Sequence, residues 1–152
     1  MAQTTLEARQ QLLDAVAEAT DHIGLALASL SAAYEQLDEQ KADELEDQLF
    51  RPVQLAYGRA RRIHAEFAER HGLTKREFQP PSPGLASIGA KAFIEQAVVA
   101  VGQADHALLE LQDTLLPVEV GDPELRASLA DLRGLVGDLT PRAREVVRTL
   151  GR

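Results

Sequence analysis

The feature that most constrains this chain is a repeat of apolar residues at alternating spacings of three and four. In the first segment the stripe runs through Leu6, Leu13, Val16, Thr20, Ile23, Leu27, Leu30, Tyr34 and Leu37. This spacing places the side chains on one face of an α-helix, which is buried against other helices. Thr4 and Glu7 match a capping box, so we predict a first helix over residues 4–40. Thr20 is the one polar residue of the stripe, and its hydroxyl is expected to bond back to its own helix.

A second helix is predicted from a new cap signal, in which Asp43 precedes Glu46 by three residues. It is expected to end at Gly72, a residue type that is common at helix C-termini. Pro52 lies within its apolar stripe. Because proline lacks a backbone N–H and clashes with the preceding turn, we expect a kink near this residue. Residues 73–83 include three prolines and are predicted to form a linker.

The remaining two helices are bounded by prolines. The third is expected to start between Pro83 and Ala90 and to stop at Pro117, since proline favours the first turn and disfavours the interior. The fourth is expected to open at Pro123. A restart or bend is predicted at Pro141, which lies within the stripe of this last helix.

The four helices predict an all-α fold, an antiparallel up-down-up-down four-helix bundle. We expect a single domain over residues 1–152, with one helical hairpin at 4–72 and a second at 84–151. The hairpins resemble each other weakly, since His22 and His106 each follow an aspartate in mid-helix and lie 84 residues apart. Heptad periodicity alone also produces matches of this kind, so a true duplication and a chance similarity both stay open.

Composition narrows the classes of function. The net charge of −8 argues against nucleic acid and membranes as partners, because both are anionic. The absence of cysteine excludes disulfides, thiolate metal sites, iron–sulfur clusters and cysteine nucleophiles. No cofactor is expected. Neither a signal segment nor a membrane-spanning run is apparent in the sequence, so a cytoplasmic location is expected.

Basic residues are concentrated in two places, and both are candidate anion-binding sites. The first group is Arg59, Arg61 and Arg62 on the second helix, and the second group includes Arg142 and Arg144 on the last helix. The alternative interpretation is that these arginines are solvated on exposed helix faces, with nearby acidic residues offsetting their charge.

The histidines are the candidate metal ligands. His22 has Glu18 four residues before it, and His106 has Glu110 four residues after it, so each pair shares a helix face. The alternatives are a ligand role, a subunit contact or a location beside the core. His64 and His71 are expected to flank the second helix with their polar edges in water. No Glu-x-x-His motif is present, which argues against a di-iron centre.

Nucleophilic catalysis and nucleotide binding lack support, because no Gly-x-Ser-x-Gly elbow, phosphate loop or dinucleotide fingerprint is present. We therefore expect a non-catalytic interaction protein that binds another protein or a second copy of itself, as in a homodimer. Several apolar residues outside the stripes would suit such an interface if exposed, namely Leu25, Phe50, Phe93, Val98 and Leu109. The alternative is a bundle that binds a small ligand or a metal through His22 and His106 or through the arginines.

Overall fold

The computed structural model describes residues 4–150 and is all-α over that range. Residues 1–3, 151 and 152, which the predicted domain includes, lie outside the described part. The α-helices are α1 (Thr5–Gln36), α2 (Glu39–Leu45), α3 (Arg51–Arg70), α4 (Ala90–Asp113), α5 (Leu116–Glu119) and α6 (Pro123–Leu150). A π-helical segment, Glu46–Phe50, joins α2 to α3, and a short 3-10 helix, Ala86–Ile88, precedes α4. Within this range, no helix has both the length and the apolar character needed to cross a membrane.

The predicted start of α1 is confirmed. The Glu7 N–H donates to the Thr4 hydroxyl at 3.1 Å, and the Thr4 N–H donates to the Glu7 carboxylate at 3.3 Å. The helix ends at Gln36, earlier than expected, because Asp38 caps the next helix by accepting a hydrogen bond from the Lys41 N–H at 2.9 Å. The second helical segment therefore begins at Glu39, ahead of the predicted cap at residue 43.

The two interior prolines are accommodated differently. Pro52 follows the π-helical segment, in which the Arg51 N–H donates to the Glu46 carbonyl five residues earlier. Helical structure is therefore continuous from residue 39 to residue 70, with one wide turn before the proline. Pro141 lies inside α6, which runs from Pro123 to Leu150 without interruption, so the predicted restart does not occur. The predicted bends at these prolines stay predictions.

The four long helices pack in a closed arrangement. Helix α1 contacts α3 and α4, and α6 also contacts α3 and α4; the α1–α4 interface is the most extensive. The interior is mainly aliphatic, and Leu12, Leu30, Val53, Ile94 and Val136 are among its fully buried members. As predicted, the buried Thr20 hydroxyl donates to the Val16 carbonyl of its own helix at 2.8 Å.

The directions in which successive helices run differ from the predicted up-down-up-down arrangement. Arg70 at the end of α3 binds Asp122 at the start of α6, and Gln36 at the end of α1 donates to the carbonyl of Ala86, just before α4. Since α1 and α3 form a hairpin, these contacts require α3 and α4 to run in the same direction. The linker between them must therefore return along the length of the protein, as a single long crossover connection.

This crossover linker, residues 72–89, is bound to the helices beneath it. The Arg76 guanidinium donates two hydrogen bonds to the Asp21 carboxylate of α1, at 3.0 and 2.8 Å. Further along, the Gln96 side chain of α4 donates to the carbonyl of Pro83 at 2.9 Å. These contacts hold the linker against the surface of α1.

The exposure of some side chains differs from the prediction. Two residues of the first stripe are exposed, at 62% for Leu6 and 38% for Tyr34, and both lie near the ends of α1. Leu115, which ends the apolar stripe predicted for the third helix, is 66% exposed. Of the apolar residues outside the stripes, Phe93 is fully buried, whereas Leu109 is 38% exposed. Leu25, Phe50 and Val98 are half-buried against the core.

Candidate functional site

The two candidate metal-binding histidines lie along one shallow groove between α1 and α4. The groove has a volume of about 320 Å³, and His22 and His106 line it together with Glu18 and Glu110. The His106 Nε2 is 3.0 Å from the Glu110 carboxylate, whereas the His22 Nε2 is 3.9 Å from that of Glu18. The structure therefore brings the predicted pair to a common surface, and each imidazole contacts the glutamate of its own helix.

Metal binding in this groove stays a prediction. Across the described residues 4–150, no group of three or more histidine, aspartate and glutamate side chains is arranged to hold a metal ion. Protein metal sites of zinc type use three or four such ligands. One half-buried and one exposed imidazole would leave most of the coordination sphere to water.

The first arginine group is divided between two environments. Arg59 and Arg62 line a cavity of about 260 Å³ between α3 and α6, together with the carboxylates of Glu66 and Asp131. Arg61 lies instead over the Tyr57 ring, with its guanidinium carbon 4.8 Å from the ring centre. The two acids in the cavity offset the field of the arginines, which weakens the attraction for an anion.

The second arginine group is not part of this cavity. Arg142 and Arg144 are exposed on α6. They follow Asp131 by at least eleven residues, which corresponds to about 16 Å along a helix. The two arginine groups therefore lie at different positions along the bundle axis. Anion binding stays a prediction for each group separately.

His64 is buried, contrary to the expectation that its polar edge lies in water. Its exposed fraction is 3%, and its Nδ1 has no hydrogen-bond partner among residues 4–150. The ring packs edge-on against Phe78 of the crossover linker, with 5.0 Å between ring centres. Burial, and secondarily the nearby Arg76 guanidinium, lower the pKa of His64, so the imidazole is neutral near pH 7.

The burial of His64 follows from a second stripe on α3, which overlaps the first, predicted stripe that runs through Val53, Ala56 and Ile63. Tyr57, Ala60, His64, Phe67 and His71 alternate at spacings of three and four, which places them on one helix face. Tyr57, Ala60 and Phe67 are also buried. The crossover linker covers this face, which a two-helix hairpin alone would leave open.

His71 is likewise not a solvated histidine. Its Nε2 is 2.9 Å from the carboxylate of Asp122, and its ring lies 4.5 Å from that of Phe67. Its side chain is 16% exposed. His71 therefore helps to join the end of α3 to the start of α6.

His64 also lines a surface cleft, which we call the His64 cleft. It has a volume of about 640 Å³ and lies between α1, α3 and residues 74–76 of the linker. Its charged and imidazole side chains include Asp14, Glu18, Asp21, His22, His64 and Arg76. The cleft meets the α1–α4 groove at Glu18 and His22, which line both.

A second depression, whose lining has more apolar residues, lies where the proline-rich part of the linker crosses α1. This proline groove has a volume of about 550 Å³ and is lined mainly by Leu27, Ala28, Ala32, Phe50, Pro80 and Pro81. A neighbouring depression of about 290 Å³ shares Ser31, Glu35 and Phe50 with this groove and adds Tyr34 and Glu46. The Tyr34 and Phe50 rings lie 6.2 Å apart and form a continuous apolar wall.

Comparison with known proteins does not add to this geometry, because the chain matches no protein-family model, no curated protein and no solved structure.

Proposed function

We propose that this protein is a non-catalytic helical-bundle protein that binds a partner protein through the proline groove. The observation that carries the proposal is an open apolar groove beside a strongly acidic helix end. An apolar groove of this kind accepts the apolar face of an amphipathic helix. The proposal includes a four-helix bundle with one crossover connection as the scaffold, and it keeps the cytoplasmic location expected from the sequence.

Apolar surface is concentrated around the groove. Phe50 and Leu27 are only partly buried, and Tyr34 is 38% exposed. On the linker just beyond Pro83, Leu85 is 77% exposed and Ile88 is 46% exposed. Clustered apolar surface of this kind is typical of interaction sites.

Charge around the groove indicates the chemistry of the partner. Glu35 lines both the groove and the neighbouring depression, and Glu46 lines the depression. They belong to the run from Glu35 to Asp47, which contains seven acidic residues and one lysine. A partner segment with an apolar face flanked by lysine or arginine complements this surface, whereas a second copy of this acidic chain would place like charges together. We therefore propose a basic amphipathic helix as the occupant.

Fluorescence anisotropy tests this proposal with two labelled model helices. One carries leucine at heptad positions with lysine beside it, and the other carries glutamate in place of lysine. We expect the lysine helix to bind with a dissociation constant of about 10 μM or tighter, and the glutamate helix to bind at least about tenfold more weakly.

Two arginine variants locate the binding surface. Ala28→Arg places a cation in the groove and is expected to weaken binding of the lysine helix by at least about tenfold. Leu115→Arg makes the same charge change at an exposed residue outside the groove, and it should leave binding unchanged. Equal binding by both variants would contradict the proposal. So would a concentration-dependent dimer that Ala28→Arg abolishes, because the groove would then hold a second copy of the chain.

A further inference from the structure

We propose that the His64 cleft binds a small organic cation of the aliphatic di- or polyamine class, through the His64 imidazole and the carboxylates of Asp14 and Glu18. This site is separate from the proline groove and does not depend on the function proposed there. The proposal rests on three features of the cleft: a buried imidazole, an imbalance of charge, and the spacing of two carboxylates along α1.

The imidazole is the first feature. His64 is 97% buried, judged from its exposed fraction of 3%, and its Nδ1 lacks a hydrogen-bond partner within residues 4–150. A buried polar atom without a partner is destabilising, and a leucine would fill similar space without that disadvantage. Because His64 also lines the cleft, a ligand that enters the cleft lies against its ring.

The charge balance is the second feature. Both cations of the cleft already have carboxylate partners: Arg76 binds Asp21 through two hydrogen bonds, and Lys75 lies 3.4 Å from Glu69. The remaining charge of the cleft is therefore negative and favours a cationic ligand.

The two carboxylates are the third feature. Within the described chain, neither Asp14 nor Glu18 forms an ion pair with lysine or arginine; Asp14 accepts a hydrogen bond from Gln10, and Glu18 lies 3.9 Å from His22. They are four residues apart on α1, which places them about 6 Å apart along the axis. Two ammonium groups separated by a short methylene chain match this spacing.

The chemistry of the imidazole selects an N–H donor as the ligand. Burial and the Arg76 guanidinium lower the pKa of His64, so its ring is neutral near pH 7 and retains one acceptor nitrogen. An ammonium group donates hydrogen bonds to such a nitrogen and to carboxylates. The methylenes of the ligand would lie against Ala17, which forms part of the apolar wall.

Isothermal titration calorimetry of the full chain with spermidine and putrescine tests this site at constant ionic strength. The double variant Asp14→Asn/Glu18→Gln is expected to weaken spermidine binding by about tenfold or more. The matched control, Asp43→Asn/Glu44→Gln, removes the same charge from the exposed surface of α2 and should change binding by less than about twofold. An equal loss in both variants would overturn the proposal, since it would show general attraction to an acidic protein.

His64→Leu tests the role of the imidazole. It is expected to lower spermidine affinity by about tenfold while the circular dichroism spectrum and the cooperative unfolding transition are retained. In the unaltered protein, the ring resonances of His64 should shift on addition of spermidine more than those of His106, which lies outside the cleft. Unchanged affinity in His64→Leu, or no binding of spermidine to the unaltered protein at millimolar concentration, would overturn the proposal.

Discussion

Arg70 and Asp122 form a two-point ion pair that joins the end of α3 to the start of α6. The Nε of Arg70 donates to Oδ2 at 2.8 Å, and Nη2 donates to Oδ1 at 3.0 Å. The Leu125 N–H donates to the same carboxylate at 2.7 Å, so Asp122 also caps α6. One carboxylate therefore satisfies an arginine, a helix end and, through His71, an imidazole.

Asp122→Asn is expected to lower the free energy of unfolding at pH 7 by about 2 kcal/mol, because it removes the charge that Arg70 and His71 contact. Burial acts to raise the pKa of Asp122, but hydrogen bonds from Arg70, the Leu125 N–H and His71 outweigh it and hold the pKa well below its usual range. The stabilisation is therefore complete above the unfolded pKa of about 3.9 and is lost as the pH falls toward the folded pKa.

Urea denaturation at several pH values between 2 and 7 measures this effect. The unaltered protein should lose stability more steeply than Asp122→Asn as the pH falls below about 4. Glu124→Gln is the matched control, since Glu124 also contacts Arg70, at 3.1 Å, but is 74% exposed. Equal destabilisation by the two variants would show that the Arg70–Asp122 pair has no special role.

His64→Leu is expected to raise the free energy of unfolding at pH 7 by about 1 kcal/mol, because it removes a buried polar atom without a partner. The variant also tests a pH dependence. Burial lowers the pKa of His64, Arg76 lowers it further, and Asp14 and Asp21 act in the opposite direction. Below about pH 6.5 the His64 imidazole binds a proton in the unfolded chain but stays neutral in the folded protein. The free energy of unfolding therefore decreases as the pH falls from about 6.5 through the folded pKa.

Thermal or urea unfolding between pH 5 and 8 separates this contribution from that of the other histidines. His106→Leu serves as the comparison, because His106 has a side chain that is 70% exposed. A His64→Leu variant that is destabilised at pH 7, with an unaltered pH dependence below 6.5, would contradict the expected neutral, unpartnered state of the imidazole.

Gly24→Leu is expected to loosen the crossover linker. A Cβ atom at Gly24 would lie 3.1 Å from the Tyr57 ring and 3.6 Å from the Cδ of Pro81, so a larger side chain must displace one of them. Limited proteolysis should then cleave residues 72–89 faster than in the unaltered protein. Gly58→Leu is the control, because no atom lies within 4 Å of a Cβ built at Gly58. Equal cleavage of the two variants would show that the Gly24 contact does not hold the linker.

Protein purified without metal-affinity chromatography is expected to contain less than one tenth of an equivalent of any transition metal, because two imidazoles without a third protein ligand hold a metal weakly. Elemental analysis by mass spectrometry measures the content. One equivalent of metal per chain, lost on changing His22 and His106 to alanine, would instead establish the metal-binding function that the sequence left open.

The helices and the buried stripes could be predicted because they depend on local spacing. The capping box at Thr4 and the hydroxyl of Thr20 are settled by residues within one turn. The relative directions of the helices could not be predicted from local spacing. They depend on contacts such as Gln36 with Ala86, which join residues 50 positions apart and follow from no local pattern.

In the candidate sites, too, the features that depend on distant contacts could not be predicted. The sequence left His22 and His106 as candidate metal ligands or as residues beside the core, and the structure places both on one groove. The burial of His64 was missed because only the first stripe of α3 was considered, and the face that includes His64 is covered by the distant linker residue Phe78.

The crossover connection sets the order in which the protein can be assembled during synthesis. Contacts between α1 and the second half of the chain join residues far apart in sequence, such as Ser29 and Gln96 at a separation of 67 and Arg9 and Val120 at a separation of 111. Distant contacts of this kind slow folding, and a chain leaving the ribosome folds its N-terminal part first. The face of α1 that packs against α4 therefore stays uncovered until residues up to 113 have been synthesised. Until then, the first hairpin of the growing chain is the species most prone to aggregate.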